Sequence, residues 1–410
     1  MTHERKPGLL LLVHRIPFPP NKGDKIRSYN LLRHLLRDYR VYLGCFVDDP
    51  ADQAHEAALR ELCEDCCFVR IDPMRRKLAS LRGLLSGAPL TLPFYASRKL
   101  QSWVDRVVEE QHIEAAVAFS SATAQFLMHE RFAGLHKIMD FIDIDSDKWQ
   151  QYAQRKRFPM SWLYRREGRS LLGYEAEVAH AFAASTFVSD DEASMFRQLV
   201  PAVADKVHAV PNGVDLEHFS ADAALASPFD NTEARKLVFV GAMDYWPNVD
   251  AVTWFAREVL PIVQQTAASE FWIVGSNPSR EVKALQGLPG VRVTGRVDDV
   301  RSYVKHADVC VAPLRVARGI QNKVLESMAM AKATVVTPQA LEGIPAIPGE
   351  HLLRADDADG LAAHIVSLFN DPASSARMGA KARELMESRF SWQAALSPFD
   401  TLLQAQSQQV

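Results

Sequence analysis

Between Ala307 and Ala331 the chain reads ADVCVAPLRVARGIQNKVLESMAMA, the pattern of a buried strand, a glycine turn and a helix carrying one glutamate. Val309 and Val311 belong to a short apolar run closed by Pro313, and Val324, Leu325, Met328 and Ala329 recur at helical spacing. Gly319 then falls at the turn. The amides of Ile320, Gln321, Asn322 and Lys323 are expected to open the helix without intrahelical partners. Amides in that position carry the positive end of the helix dipole, so they suit a diphosphate with no metal to neutralise it. Glu326, within the first two turns, can accept both hydroxyls of a ribose. Lys323 can place positive charge where a leaving group gains negative charge. Taken by itself, Glu326 is equally compatible with an ordinary solvent-facing glutamate.

A second candidate is DFIDIDSD, from Asp140 to Asp147, which contains two D-x-D spellings. Paired carboxylates can ligate manganese or magnesium, but a helix N-terminus already neutralises a diphosphate, so no metal is expected. Asp143 follows an apolar strand and can receive or orient an acceptor hydroxyl; Asp145 reads as the cap of the next helix. In the first loop, PFPPNKGDKIRS, Gly23 and Asp24 open an amphipathic helix, and Gly23, Asp24 and Arg27 are candidates for the acceptor side, with Asp24 equally suited to capping. His14 ends the first strand and is read as a satisfied polar residue, not as a base. Cys63, Cys66 and Cys67 cluster near His55, but no second ligand pair is spaced for zinc, so free thiols are expected.

Strands are expected at Leu9–Val13, Val41–Phe46, Cys67–Ile71, Ala115–Phe119, Ile138–Ile142 and Thr186–Val188. A second series follows at Leu237–Val240, Phe271–Val274, Val291–Thr294, Val309–Ala312 and Thr334–Thr337. Helical segments alternate with most of them, which predicts an α/β fold of two Rossmann-like, doubly wound domains. The first is expected over residues 1–220 and the second over 221–390, with a helix over 391–410 packing back across the junction. Ligands of such sheets lie beyond the carboxyl ends of strands, so an active site is expected in a cleft faced by both domains. Gly241, Gly275 and Arg296-Val297 fall at those ends in the second series. Tyr245, Trp246 and Trp149 are candidates for stacking on a sugar or base.

A chain of 410 residues, 48% apolar and 24% charged, is globular, and a net charge of −3 with no groove-reading motif argues against nucleic acid. HRIPFPPNKGD after the first strand lacks the G-x-G-x-x-G turn of dinucleotide oxidoreductases. The opening apolar run is too short for a signal-peptide core, so a cytoplasmic location is expected. Arg155, Lys156, Arg157, Arg165, Arg166 and Arg169, opposed only by Glu167, form a basic cluster suited to an anionic membrane surface.

Taken together, Pro211-Asn212-Gly213-Val214-Asp215, Gly241, Gly275, Gly295 and the glycine-to-Glu326 helix resemble the GT-B glycosyltransferases of family four. GAMDYWPNVDAV, RVARGIQNKVLESMAMA and DFIDIDSDKWQQYA resemble the sugar transferases associated with PEP-CTERM/exosortase exopolysaccharide systems. The resemblance implies retaining, metal-independent transfer from a UDP- or GDP-sugar held by the second domain to a saccharide or polyprenyl-linked acceptor held by the first. It implies ribose binding by Glu326, phosphate contacts from Ile320 to Lys323, and peripheral work at the inner face of a membrane.

The chain departs from the family at two places. Arg318 stands where the first glutamate of an E-x7-E pair is common, and Ala242-Met243 and Asn248 stand where an arginine and a lysine are common. Arg315, Arg318 and Lys323 are the candidates to restore the missing positive charge. Two other functions stay open at this level: a nucleotide-sugar epimerase, and a catalytically weak sugar-nucleotide-binding subunit.

Overall fold

The computed structural model describes residues 6–20, 23–72, 74, 76, 80, 83, 87–154, 156–230, 232–317 and 320–404. They divide into two compact units: one of residues 1–211 with 396–410, the other Asn212–Ala395. The division thus falls at Pro211, ahead of the polar 219–233 segment.

Strands of the first unit are β1 (Gly8–Val13), β2 (Arg40–Val47), β3 (Asp65–Arg70), β4 (Ile113–Phe119), β5 (His136–Ile142), β6 (Ala184–Phe187) and β7 (Val207–Ala209). They form one parallel sheet in the order β3-β2-β1-β4-β5-β6-β7. β1 is buried at every position because helices cover both faces of a parallel sheet, which is why Leu9–Val13 reads as a continuous apolar run. The helices that matter for the site are α1 (Gly23–Leu35), α2 (Asp145–Gln154), α3 (Met160–Ala181) and α4 (Asp190–Leu199). α2 and α3 lie against each other closely at Gly168, where a Cβ would come within 2.8 Å of the Ser146 carbonyl oxygen.

The second unit is built in the same way from β8 (Arg235–Val240), β9 (Ser269–Val274), β10 (Val291–Gly295), β11 (Val309–Ala312), β12 (Thr334–Val336) and β13 (Leu353–Arg354), in the order β10-β9-β8-β11-β12-β13. Its site-forming helices are α5 (Trp246–Trp254) and α6 (Asn322–Ala329), and its core gathers Leu237, Phe239, Phe255, Phe271, Val324, Leu325 and Met328.

Every expected strand is present, within two residues at most boundaries. β7 and β13 were not legible, being edge strands of three and two residues with too little sequence to show a period. The last helix, α7 (Trp392–Gln404), runs on from the second unit, and from Leu396 it belongs with the first. There Asp400 meets His34 Nε2 at 2.7 Å and the Leu402 carbonyl meets His136 Nε2 at 2.8 Å.

Candidate functional site

In each unit the chain reverses its winding at one place, β8/β11 in the second unit and β1/β4 in the first. The crevice beyond the strand ends at such a reversal is where open α/β sheets take ligands. Both places carry the groups with unusual chemistry.

In the second unit, Gly241 directly follows β8 and Gly275 directly follows β9. Gly275 has φ +149°, and a Cβ on it would lie 1.7 Å from the Gly241 carbonyl oxygen, so only glycine lets these two strand ends approach. Gly241 N–H donates to the Val274 carbonyl at 3.0 Å and Gly275 N–H to Gly295 at 3.3 Å. Asn248, buried at the start of α5, donates its amide to the Ala242 carbonyl at 2.9 Å, and its Oδ1 is buried with no hydrogen-bond partner among the described residues. A buried acceptor left unpaired costs about 1–3 kcal/mol, which makes Asn248 a candidate partner for a ligand donor.

After β11 the chain reaches α6. Gln321 precedes its first residue, so the helix opens at Asn322, not at Ile320. Ile320 instead packs partly buried against the core and beside Gly343. Val324 and Leu325 N–H both donate to the Gln321 carbonyl, which leaves the amides of Asn322 and Lys323 at the helix start for an anion. Lys323 is half-buried: its ammonium lies 5.5 Å from the centroid of the Phe239 ring and 3.3 Å from Gln321 Oε1. Burial pushes it down to about 8, with Glu326 opposing the shift. One turn on, burial pushes the Glu326 carboxyl up to about 7, opposed by Lys323. Among the described residues no donor reaches that carboxylate. A desolvated carboxylate without a donor beside a desolvated ammonium is a pair arranged for a ligand with hydroxyls and negative charge.

Other expectations for this unit differ from what the fold allows. Arg315 does not turn toward α6; its guanidinium forks onto Asp250 at 3.0 and 2.5 Å and lies 5.5 Å from the Trp254 ring. It ties the loop after β11 to α5 instead of supplying free charge. Val297 packs partly buried with Val238, Val274 and Val304, so its side chain is structural. Arg296 is exposed beyond β10, and Tyr245 and Trp246 are exposed. Arg318 and Gly319 lie outside the described residues.

In the first unit, Arg27, expected on the acceptor side, is buried in an ion pair. It is 1% exposed and pairs through two nitrogens with fully buried Asp140, at 2.9 and 3.1 Å. Asp143 is committed to Lys148 at 2.7 Å. Asp145 does not cap α2; it accepts from Ser121 at 3.3 Å, and carboxylates from neighbouring helices take the helix-start amides, Glu192 that of Ile144 and Glu175 that of Ser146. Gly23 is exposed at the opening of α1. Asp24 turns back to Arg15 at 2.7 Å and to His14 Nε2 at 3.3 Å, and these partners overcome burial to hold it well below the usual carboxylate range.

His14, passed over by sequence reasoning, is the informative residue here. It stacks on Phe119, ring centroids 5.9 Å apart, and lines a cavity of about 450 Å³ with Tyr95, Ser120, Asp145, Trp149 and Tyr164. In the neutral ring, donation from Nε2 to Asp24 leaves Nδ1 as an acceptor, and Nδ1 is buried with no partner among the described residues. Ser120 and Ile142, at the ends of β4 and β5, have φ of +72° and +74°. Such strain costs about 1–3 kcal/mol per residue and gathers at ligand sites. The only signal for His14 in the sequence is its place directly after β1; its cavity partners come from three distant segments.

All five cysteines are buried free thiols. Burial and a hydrogen bond with Cys66 raise the Cys63 thiol, which keeps it unreactive.

Two α/β units of this topology, each with its reactive groups at the winding reversal, define the GT-B fold class. Residues 234–371 match the family described as Glycosyl transferases group 1. Over 191 residues the chain is 32% identical to phosphatidyl-myo-inositol mannosyltransferase of Mycolicibacterium smegmatis, 45% of this chain and 48% of that protein. The chain thus spans about half the length of that curated relative. Solved structures with the same fold include sucrose-phosphate synthase from Thermosynechococcus elongatus, with a TM-score of 0.68 and 18% identity over 99% of this chain and 100% of that one. Anabaena HepE in complex with UDP follows at 0.64 and 16%, over 97% and 100%.

Proposed function

We propose that this protein is a glycosyltransferase that moves a sugar from a UDP- or GDP-sugar to a saccharide or polyprenyl-linked saccharide in exopolysaccharide assembly, at the inner face of a membrane. The reaction proceeds with retention and without a metal. The observation that carries the reading is the Lys323–Glu326 pair at the start of α6: free helix-start amides and an ammonium for the diphosphate, and a carboxylate without a donor for the ribose hydroxyls. Asn248 Oδ1, beside the β8 strand end at Gly241, offers a further acceptor in the same unit. Support also comes from HepE, of the same fold, which was solved with UDP.

The acceptor belongs to the first unit, in the cavity beside His14, a reassignment from Asp143. A neighbouring hydroxyl of the acceptor donates to His14 Nδ1 while Asp24 fixes the ring, which positions the reacting hydroxyl; the oxygen of the latter bonds to the anomeric carbon as the bond to the diphosphate breaks. The proton of the reacting hydroxyl leaves on the departing diphosphate, so the protein positions and stabilises charge without forming a covalent intermediate.

A thermal-shift screen of UDP, GDP and their sugars tests the donor half, since a ligand that binds only the folded protein raises its melting temperature. Incubation of the responding labelled donor with isolated polyprenyl-linked saccharides tests the rest. Absence of any nucleotide shift overturns the proposal, and isomerisation of the donor sugar without acceptor replaces it with an epimerase.

A further inference from the structure

From Trp149 to Arg166 the chain holds five basic residues and no acidic one. This stretch is the end of α2, the connection to α3 and the first turns of α3. Among the described residues eleven large apolar side chains are exposed, and four of them fall here: Tyr152, Phe158, Met160 and Trp162. Phe158 is 81% exposed and Trp162 54%, far beyond what a core-facing helix pair leaves in water. Around them Lys156, Arg157, Arg165 and Arg169 are exposed and form no ion pair among the described residues. Arg166 does not join them: it turns inward to the Gly83 and Ala88 carbonyls at 2.6 and 3.0 Å.

We infer that the α2–α3 hairpin is a membrane-docking element that inserts Phe158, Met160 and Trp162 into the interface of an anionic phospholipid membrane, with the exposed lysine and arginines on the headgroups. Aromatic tips beside basic residues match the two demands of that interface, apolar depth and negative surface charge. A second copy of this chain is the poorer occupant, because a two-fold contact through this tip would bring basic residues against themselves. The contact is peripheral: among the described residues no helix is long and apolar enough to cross a membrane.

The inference goes beyond a purely electrostatic patch and stands apart from the transfer reaction, except in one consequence that rests on the proposed function. Trp149, Leu163 and Tyr164 of the same hairpin line the His14 cavity, so a hairpin seated on lipid brings one wall of the acceptor site to the surface where a lipid-linked acceptor resides.

Co-sedimentation with vesicles of phosphatidylglycerol and phosphatidylcholine, against phosphatidylcholine alone, tests it. The full chain is expected to sediment with the anionic vesicles at low salt. The partition should fall about tenfold or more in Phe158→Ala/Trp162→Ala, by loss of apolar insertion. It should fall roughly fivefold for each charge removed in Lys156→Ala/Arg157→Ala/Arg165→Ala. Quenching of tryptophan emission by lipids brominated on the acyl chain should drop in Trp162→Phe, which still binds. UDP thermal shifts should be unchanged in every variant, so failure here is separable from failure of the donor assignment. A wild-type chain that ignores anionic vesicles, or a double alanine variant that binds as well as wild type, overturns the inference. So does a wild-type dimer that the double variant loses while neither binds vesicles, an outcome that assigns the tip to a second copy.

Discussion

Burial pushes the Glu326 carboxyl up to about 7 and no donor reaches it among the described residues, a state that costs stability and suits the proposed binding role. Its folded value of about 7 lies above the ordinary 4.5. Its contribution to stability is therefore full below the unfolded value and lost as pH rises through about 7. Glu326→Gln should accordingly melt at or above the wild-type temperature at pH 8, with the advantage shrinking toward acid pH, while its shift with UDP or GDP disappears. Melting curves with and without nucleotide read both effects, and a retained nucleotide shift removes the ribose assignment. The same pair sets a pH window for the wild type. Ribose binding needs Glu326 ionised, above about 7, and diphosphate binding gains from Lys323 charged, below about 8. Nucleotide affinity measured by calorimetry should peak between those values, and a flat profile from pH 6 to 9 counts against the pair. On the other unit, His14→Ala should lower kcat/KM for the acceptor by about 10²-fold through lost positioning. Donor affinity should not change. Equal loss in both would mean that His14 supports the fold and not the acceptor.

At the scale of elements, the site depends on contacts that let strand ends and helices approach. Gly275→Ala would drive a Cβ into the Gly241 carbonyl, and it should cost the second unit roughly 2–4 kcal/mol in urea unfolding. Wild-type stability in that variant would mean that the two loops separate freely. In the first unit, α1 is fixed to β5 by Arg27 and Asp140, with Thr186 adding a hydrogen bond to the carboxylate at 3.0 Å. Arg27→Ala should cost about 3–5 kcal/mol, because it strands a buried charge. If activity falls in this variant while unfolding is unchanged, Arg27 is an acceptor-side group after all.

For the whole molecule, two sheets of the same winding each place groups of unusual chemistry where the winding reverses, which would let a single polypeptide treat donor and acceptor differently. The proposed donor side carries desolvated charge and helix-start amides. The proposed acceptor side carries a histidine oriented by a carboxylate, within an aromatic cavity. Transfer should persist when EDTA strips divalent ions, as judged by initial rates with a labelled donor, because the diphosphate charge is met by Lys323 and helix amides. Loss of rate restored by manganese would require a cation in that place.

Much of this was legible in the sequence because its signals are local. A parallel strand buried on both faces writes an apolar run, a helix writes a period of 3.6, and a glycine between them marks a turn, so the strands and the place of Glu326 in α6 follow from neighbours in the chain. The partners of charged side chains do not. Arg315 finds Asp250 and Arg27 finds Asp140 only once distant segments are packed together, and each pairing changes what the residue can do. The same holds for His14, whose role is set by Asp24 on one ring nitrogen and a cavity built from residues 80 to 171 around it. Spacing along the chain determined the two α/β units and the carboxylate at the heart of one; tertiary structure decided which charges are already satisfied and which are left for a ligand, because burial and pairing are properties of proximity in space.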